Sequence, residues 1–261
     1  MRLLPALRTV GLFGLVFLLA ALGCAKSGFL PEDASYDASR DAANGGGSAD
    51  VETDSNKDSS TPAQDATTGV DSAVSACARD YSIKSSSDML PLANCVSITG
   101  NLTVESPTLA DLKGLSDVKS VNGDLNIWEN AVLADISGLG NLASVTGGLA
   151  IRNNEALQEL KGLASLTSVG GSLVIGHDNS LVNLDGLSGL TSVGALYVYD
   201  NAALTDIEGM SKLTSVKGEL VIESNAALPT CQANALKKAL VAKGYSGTAS
   251  IAGNDDTATC P

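Results

Sequence analysis

The sequence predicts a mainly β protein: a right-handed parallel β-solenoid of about 24-residue coils, with short capping helices at both ends. Three observations predict it. The pair Leu-x-Ile recurs as Leu125/Ile127, Leu149/Ile151, Leu173/Ile175, Leu196/Val198 and Leu220/Ile222, with Leu102/Val104 as an earlier copy, at intervals of 23, 24, 24, 23 and 24 residues. Between pairs the apolar positions step by three, as in Leu157, Leu160, Leu163, Leu166 and Val169. Glycines recur in phase with both, at Gly114, Gly138, Gly162, Gly186 and Gly209 and again at Gly123, Gly147, Gly171, Gly194 and Gly218.

The chain before the array is of a different kind. Arg2 and Arg8 precede an apolar run from Val10 to Leu22, and Gly23-Cys24 follows. A charged start, a short apolar stretch and a small residue before the cut predict a signal peptide over 1–23 and export of the protein. Ala20-Ala21-Leu22-Gly23-Cys24 resembles a bacterial lipobox, which implies lipidation of Cys24 and anchoring to the membrane; Ala25 after it suggests the outer membrane or the cell surface. Acyl chains anchor because each buried methylene contributes about 0.8 kcal/mol. Residues 24–76 then form an acidic tether, rich in Asp, Ser, Ala, Thr and Gly, with ten acids against Lys26, Arg40 and Lys57. So few large apolar side chains cannot offset the entropy of ordering, and the segment is expected to be a disordered spacer. The formal net charge of -13 argues against a nucleic-acid partner, since phosphate binding needs the opposite sign.

Residues 77–261 are one domain's length. Tyr81-Ser82-Ile83 reads as the first strand, followed by a helical turn near 88–93 with Ser87 as its cap. Each Leu-x-Ile is a short strand with its two large residues inward. The glycine before Leu139, Leu163, Leu187 and Met210 is expected to supply a tight or positive-φ corner. Three residues after each strand stands an amide, Asn130, Asn154, Asn201 or Asn225, placed to bond the neighbouring coil. Asp178 takes that position in one coil and Pro107 in another, and both coils are expected to bulge. At the far end Thr230 is placed to cap a helix over 231–242, with Leu236, Leu240 and Val241 as its buried stripe and Gly244 as its stop. Ala249-Ser250-Ile251 then repeats the strand, with Asn254 three beyond it. Cys77, Cys95, Cys231 and Cys260 sit only at the two ends of the array, so pairing within each end gives Cys77–Cys95 and Cys231–Cys260.

Two phrases, Leu-Thr-Ser-Val-Gly-Gly-Ser-Leu-Val-Ile (166–175) and Ile-Thr-Gly-Asn-Leu-Thr-Val (98–104), resemble the receptor L domain family. The family contributes the ligand-binding halves of insulin- and epidermal-growth-factor-type receptors and also occurs in bacterial surface lipoproteins. The resemblance covers residues 77–261 and implies a right-handed, leucine-rich-repeat-like solenoid that binds proteins on its large sheet.

Outward strand positions fall into two columns. One reads Thr103, Asn126, Ala150, Val174, Tyr197, Val221; the next reads Glu105, Trp128, Arg152, Gly176, Tyr199, Glu223. Trp128, Arg152, Tyr197 and Tyr199, with His177 at the edge, form the candidate binding face, because aromatic and Arg side chains are what binding hot spots use. An extracellular protein or glycan is the expected ligand; plain cross-strand packing is the other reading. A further column, Asp111, Asp135, Glu159, Asn183 and Asp206, offers oxygens to calcium but reads first as a solvated edge, and no metal or cofactor is assigned. His177 is the only histidine, with no nucleophile motif around it, and Glu105, Glu129, Arg152 and Glu223 are spread over several coils. A polysaccharide-acting β-helix enzyme is the remote alternative. No catalytic residue is assigned, and the expected function is non-enzymatic recognition, with a structural envelope lipoprotein as the alternative.

Overall fold

The computed structural model describes residues 76–260. The signal segment, Cys24 and all but the last residue of the acidic tether lie outside the described residues. Within them the chain is mainly β, organised as one 13-stranded sheet in which every strand pair is parallel. One α-helix, α1 (Thr230–Ala242), and a 3-10 segment over Ser86–Leu92 stand at opposite ends of the array; single 3-10 turns fill the repeats between.

Numbered along the chain, β2 (Tyr81–Ile83), β4 (Leu102–Val104), β6 (Leu125–Trp128), β8 (Leu149–Arg152), β9 (Ser168–Gly176), β10 (Ser192–Tyr199), β12 (Leu220–Glu223) and β13 (Ala249–Ala252) are the strands expected from the Leu-x-Ile pairs. They pair in sequence order with like residue opposite like: Leu125↔Leu149↔Leu173↔Leu196↔Leu220, and Ile127↔Ile151↔Ile175↔Val198↔Ile222. All ten of these side chains are fully buried, each contributing about 1.5–3 kcal/mol. The every-third-residue leucines complete a single continuous core.

A second ladder was not anticipated. β1 (Ala76–Cys77), β3 (Ser97–Ile98), β5 (Ser120–Val121) and β7 (Ser144–Val145) pair one with the next, and the ladder continues through the first residues of β9 and β10 to β11 (Ser215–Val216). Only β9 and β10 run through both ladders, which joins them into one sheet. The register shift lies where β9 meets β10: Val193 stands opposite Val169 but Ala195 opposite Ser172, so β9, the strand that leads to Asp178, carries one extra residue, and the Pro107 repeat shows no shift.

The repeat glycines serve close approach rather than a left-handed turn. A Cβ on Gly138, Gly162, Gly186 or Gly209 would lie 1.7–1.9 Å from a carbonyl oxygen of the preceding repeat. The left-handed position is taken by Glu129, Asn153, His177, Asp200 and Ser224, directly after β6, β8, β9, β10 and β12, with φ between 53 and 57°. Each of these costs roughly 1–2 kcal/mol of backbone strain. Each also donates its N–H across to the next strand's end: Glu129 to Arg152 O, Asn153 to Gly176 O, His177 to Tyr199 O, Asp200 to Glu223 O and Ser224 to Ala252 O. The corner is thus fixed by bonds between repeats.

The ends differ in detail from expectation. The 3-10 segment begins at Ser86, and Asp88, not Ser87, closes its entry by accepting the Lys84 and Ser85 N–H groups. Thr230 does not cap α1; Pro229 holds that position and the Thr230 hydroxyl donates to Asp256. Ala233, Leu236 and Leu240 face inward while Val241 is exposed, because the stripe steps by three and four from Ala233. Gly244, at φ 100°, ends the helix as expected. Cys77–Cys95 and Cys231–Cys260 are both disulfides, with Cα atoms 5.8 and 6.0 Å apart.

Candidate binding face

The outward columns form as the register requires. Trp128 stands opposite Arg152, Arg152 opposite Gly176, and Gly176 opposite Tyr199 on successive strands. The Arg152 guanidinium lies 5.4 Å from the Trp128 ring centre. The Trp128 indole N–H donates to Glu105 Oε2 at 3.4 Å. Gly176 is bare for a reason: a Cβ there would come within 2.8 Å of the Tyr199 ring, which lies over it. His177 meets Tyr199 edge-on, with ring centres 5.3 Å apart, and its Nε2 is 3.9 Å from Asp200. Trp128, Arg152, Tyr199 and His177 therefore form one row across four strands and the turn after β9, roughly 15 Å long at about 4.8 Å per strand. Tyr197 lies in the neighbouring column, opposite Val174 and Val221, and its hydroxyl donates to Glu219 Oε2 at 2.9 Å.

Trp128, Arg152 and Tyr199 are half-buried by their own contacts, while His177 at the turn is exposed. Ala150 and Val174, outward in the alternation, are buried as well. The face is accordingly smooth and preformed, aromatic in the middle, with Glu105 at one end and Glu223, which accepts the Ser250 hydroxyl, at the other.

Behind the row runs a buried ladder of polar side chains. Asn130, Asn154, Asp178, Asn201, Asn225 and Asn254 succeed one another, and Ser106, not Pro107, starts the series by donating its N–H to Asn130 Oδ1 at 2.8 Å. Along the series an Oδ1 accepts the N–H of the preceding rung, as in Asn201 to Asn225 and Asn225 to Asn254, both 3.1 Å, while Asn154 Oδ1 accepts Asn130 Nδ2 at 2.9 Å. Each amide Nδ2 donates to strand carbonyls, as Asn201 does to Ile175 O at 3.2 Å and Tyr199 O at 3.0 Å. This ladder fixes the turns that carry His177 and Asp200.

The acidic column has a local use. Asp135 Oδ1 accepts the Ser137 N–H at 2.7 Å and Asp206 Oδ1 the Glu208 N–H at 2.7 Å, while Asp111 and Glu159 pair with Lys113 and Lys161. The Ser137 hydrogen bonds hold the Asp135 carboxyl below its ordinary range. Among the described residues no group of three His, Cys, Asp or Glu side chains is gathered to hold a metal ion. A separate cleft of about 320 Å³ lies beside α1, lined by Ile207, Ala235, Leu236 and Ala239 with the Cys231–Cys260 pair. No protein-family model matches the chain, and no curated protein matches it.

Proposed function

We propose that this chain is an exported, lipid-anchored surface recognition protein without enzymatic activity, built as a right-handed parallel β-solenoid of the receptor L domain kind. Its ligand is an extracellular protein or glycan, held on the face of Trp128, Arg152, His177, Tyr197 and Tyr199. One observation carries the reading: these side chains lie side by side on strands locked in register, so the face needs no ordering at binding. Aromatic and Arg groups of that kind are typical binding anchors. The lipobox-like segment at 20–24 and the acidic tether support display away from a membrane.

A second reading, a structural envelope lipoprotein, draws on the same contacts. Trp128 is already engaged by Glu105 and Arg152, and Tyr197 by Glu219, as side chains serving only cross-strand packing would be. A triple variant, Trp128→Ala, Tyr197→Ala and Tyr199→Ala, separates the two. The recognition reading expects the folded triple variant to lose capture from envelope extract by at least tenfold against wild type. Equal capture by both, with circular dichroism unchanged, assigns the face to packing.

A further inference from the structure

The polar ladder has one defective rung. In the other rungs the amide Nδ2 is a donor: Asn130 to Val104 O and Trp128 O, Asn154 to Ile127 O, Asn225 to Val198 O and Glu223 O, Asn254 to Ile222 O. Asp178 has no such group. Its Oδ1 does the acceptor's work, taking the Asn154 N–H at 2.8 Å and Asn154 Nδ2 at 3.1 Å, and its own N–H donates to Asn201 Oδ1 at 3.1 Å. Its Oδ2 therefore occupies the donor's place, and it is buried with no hydrogen-bond partner. By equivalence with the other rungs, the groups set to receive a proton there are acceptors: Ile151 O, Gly176 O and Asn201 Oδ1. A carboxylate in that position would put a buried negative charge among acceptor oxygens; a carboxylic acid would restore the missing donor.

We propose that Asp178 is a protonated rung: folding loads a proton onto its Oδ2, the O–H replaces the amide N–H of the other rungs, and loss of that proton as pH rises weakens the fold. The proton comes from solvent and returns to it, so nothing else is consumed. Burial, the largest influence, pushes the carboxyl up to about 7, against the Asn154 hydrogen bonds and Arg152, which pull it down. From the preceding repeat Arg152 is the charged side chain that acts on it, and Asn154 is neutral. From the following repeat it meets neutral Asn201, while Asp200 is exposed and paired with His177, the residue before it. The sign follows from the direction of the shift. The folded state holds this proton more tightly than the unfolded chain, so its contribution is complete below about pH 4, falls through the interval up to 7 and is constant above. The electrostatic pairing is reciprocal, so the charge that forms acts back on half-buried Arg152, the cation of the aromatic row. The proposal stands on the ladder and does not depend on any ligand.

Urea unfolding of the full chain and of Asp178→Asn between pH 5 and 9, followed by the emission of Trp128, the chain's single tryptophan, tests it. The asparagine completes the ladder without a titrating group. Relative to that variant, the folded-to-unfolded ratio of wild type should fall close to tenfold per pH unit from 5 to about 7 and then level off. A wild-type-to-variant ratio that does not change with pH overturns the proposal. Carbon-13 carboxyl spectra of wild type labelled at aspartate decide independently of whether the variant folds. One aspartate resonance titrating near 7 supports the protonated rung, and all aspartates titrating below about pH 5 refute it.

Discussion

Gly162→Ala should damage the fold far more than so small a change suggests. The added Cβ would sit 1.9 Å from Ile136 O, 2.4 Å from its carbonyl carbon and 3.0 Å from Ser137 N, all backbone of the preceding repeat. An ordinary contact there begins at 3.4 Å, so the turn over Lys161–Leu163 must lift by roughly 1.5 Å. It cannot lift freely. Leu163 beside it is fully buried, and on the other side Gly186 would bring a Cβ 1.8 Å from Leu160 O. The turns are packed on both sides with the same tolerance. Overpacking a dense interior costs about 1–3 kcal/mol, and with immovable backbone as the obstacle the upper end applies. For a domain of this size about 3 kcal/mol lowers the Tm by roughly 6–12 °C.

Gly140→Ala is the control, because it adds the same atom to the end of the equivalent turn one repeat earlier. Gly140 is exposed, its backbone is helical at φ -60°, and the nearest atom to a Cβ is Ser137 O at 3.1 Å. Ser116, Ala164, Ser188 and Ser211 carry a Cβ at the same position in the other repeats. That change should be neutral or raise stability by up to about 1 kcal/mol, through the unfolded chain. Thermal melts of the two variants beside wild type are the assay. Melting points for Gly162→Ala and Gly140→Ala within about 1 °C of each other would falsify the idea that close approach of repeats selects the glycines.

Asn201→Ala removes donors to Ile175 O, Tyr199 O and Asn225 Oδ1 together with the acceptor of the Asp178 N–H, all buried except the part-buried bond to Tyr199. It should cost about 3 kcal/mol, at the upper end for orphaned buried groups, and a change in the urea midpoint worth less than about 0.5 kcal/mol would count against the ladder. Cys24→Ser should release the chain from membranes or leave it unprocessed. Partitioning into detergent is the readout, and wild type in the aqueous phase contradicts the lipid anchor.

What the sequence made legible is what recurs in phase and is chemically unambiguous. Leu149 and Ile151 could be placed inward because alternation over three residues, repeated along the array, admits one burial pattern. Trp128, Arg152 and Tyr199 could be placed in one column because the interval between repeats fixes the register. The second ladder escaped because Ser144-Val145 and its equivalents are two residues long, too short for alternation to show. The Ser-Val pair before each Gly was the available signal. Ser106 escaped because counting three residues from Val104 lands on Pro107, and a repeat one residue short shifts the count.

The glycines mark a deeper limit. A recurring glycine has two physical explanations, freedom of φ or absence of a Cβ, and a single chain read locally cannot separate them. The decisive atom is the Ile136 or Leu160 carbonyl, some two dozen residues earlier. The left-handed corner was hidden for the same reason. Glu129 and Ser224 carry no local preference for φ near 56°, and they hold it because their N–H groups meet Arg152 O and Ala252 O on the next strand. Asp178 lies at the meeting of both problems. Its place in the count was readable, but the orphaned Oδ2 depends on Asn154 and Asn201 from the repeats on either side. In a chain whose stabilising bonds run between repeats, the residue's type is written locally and its reason one repeat away.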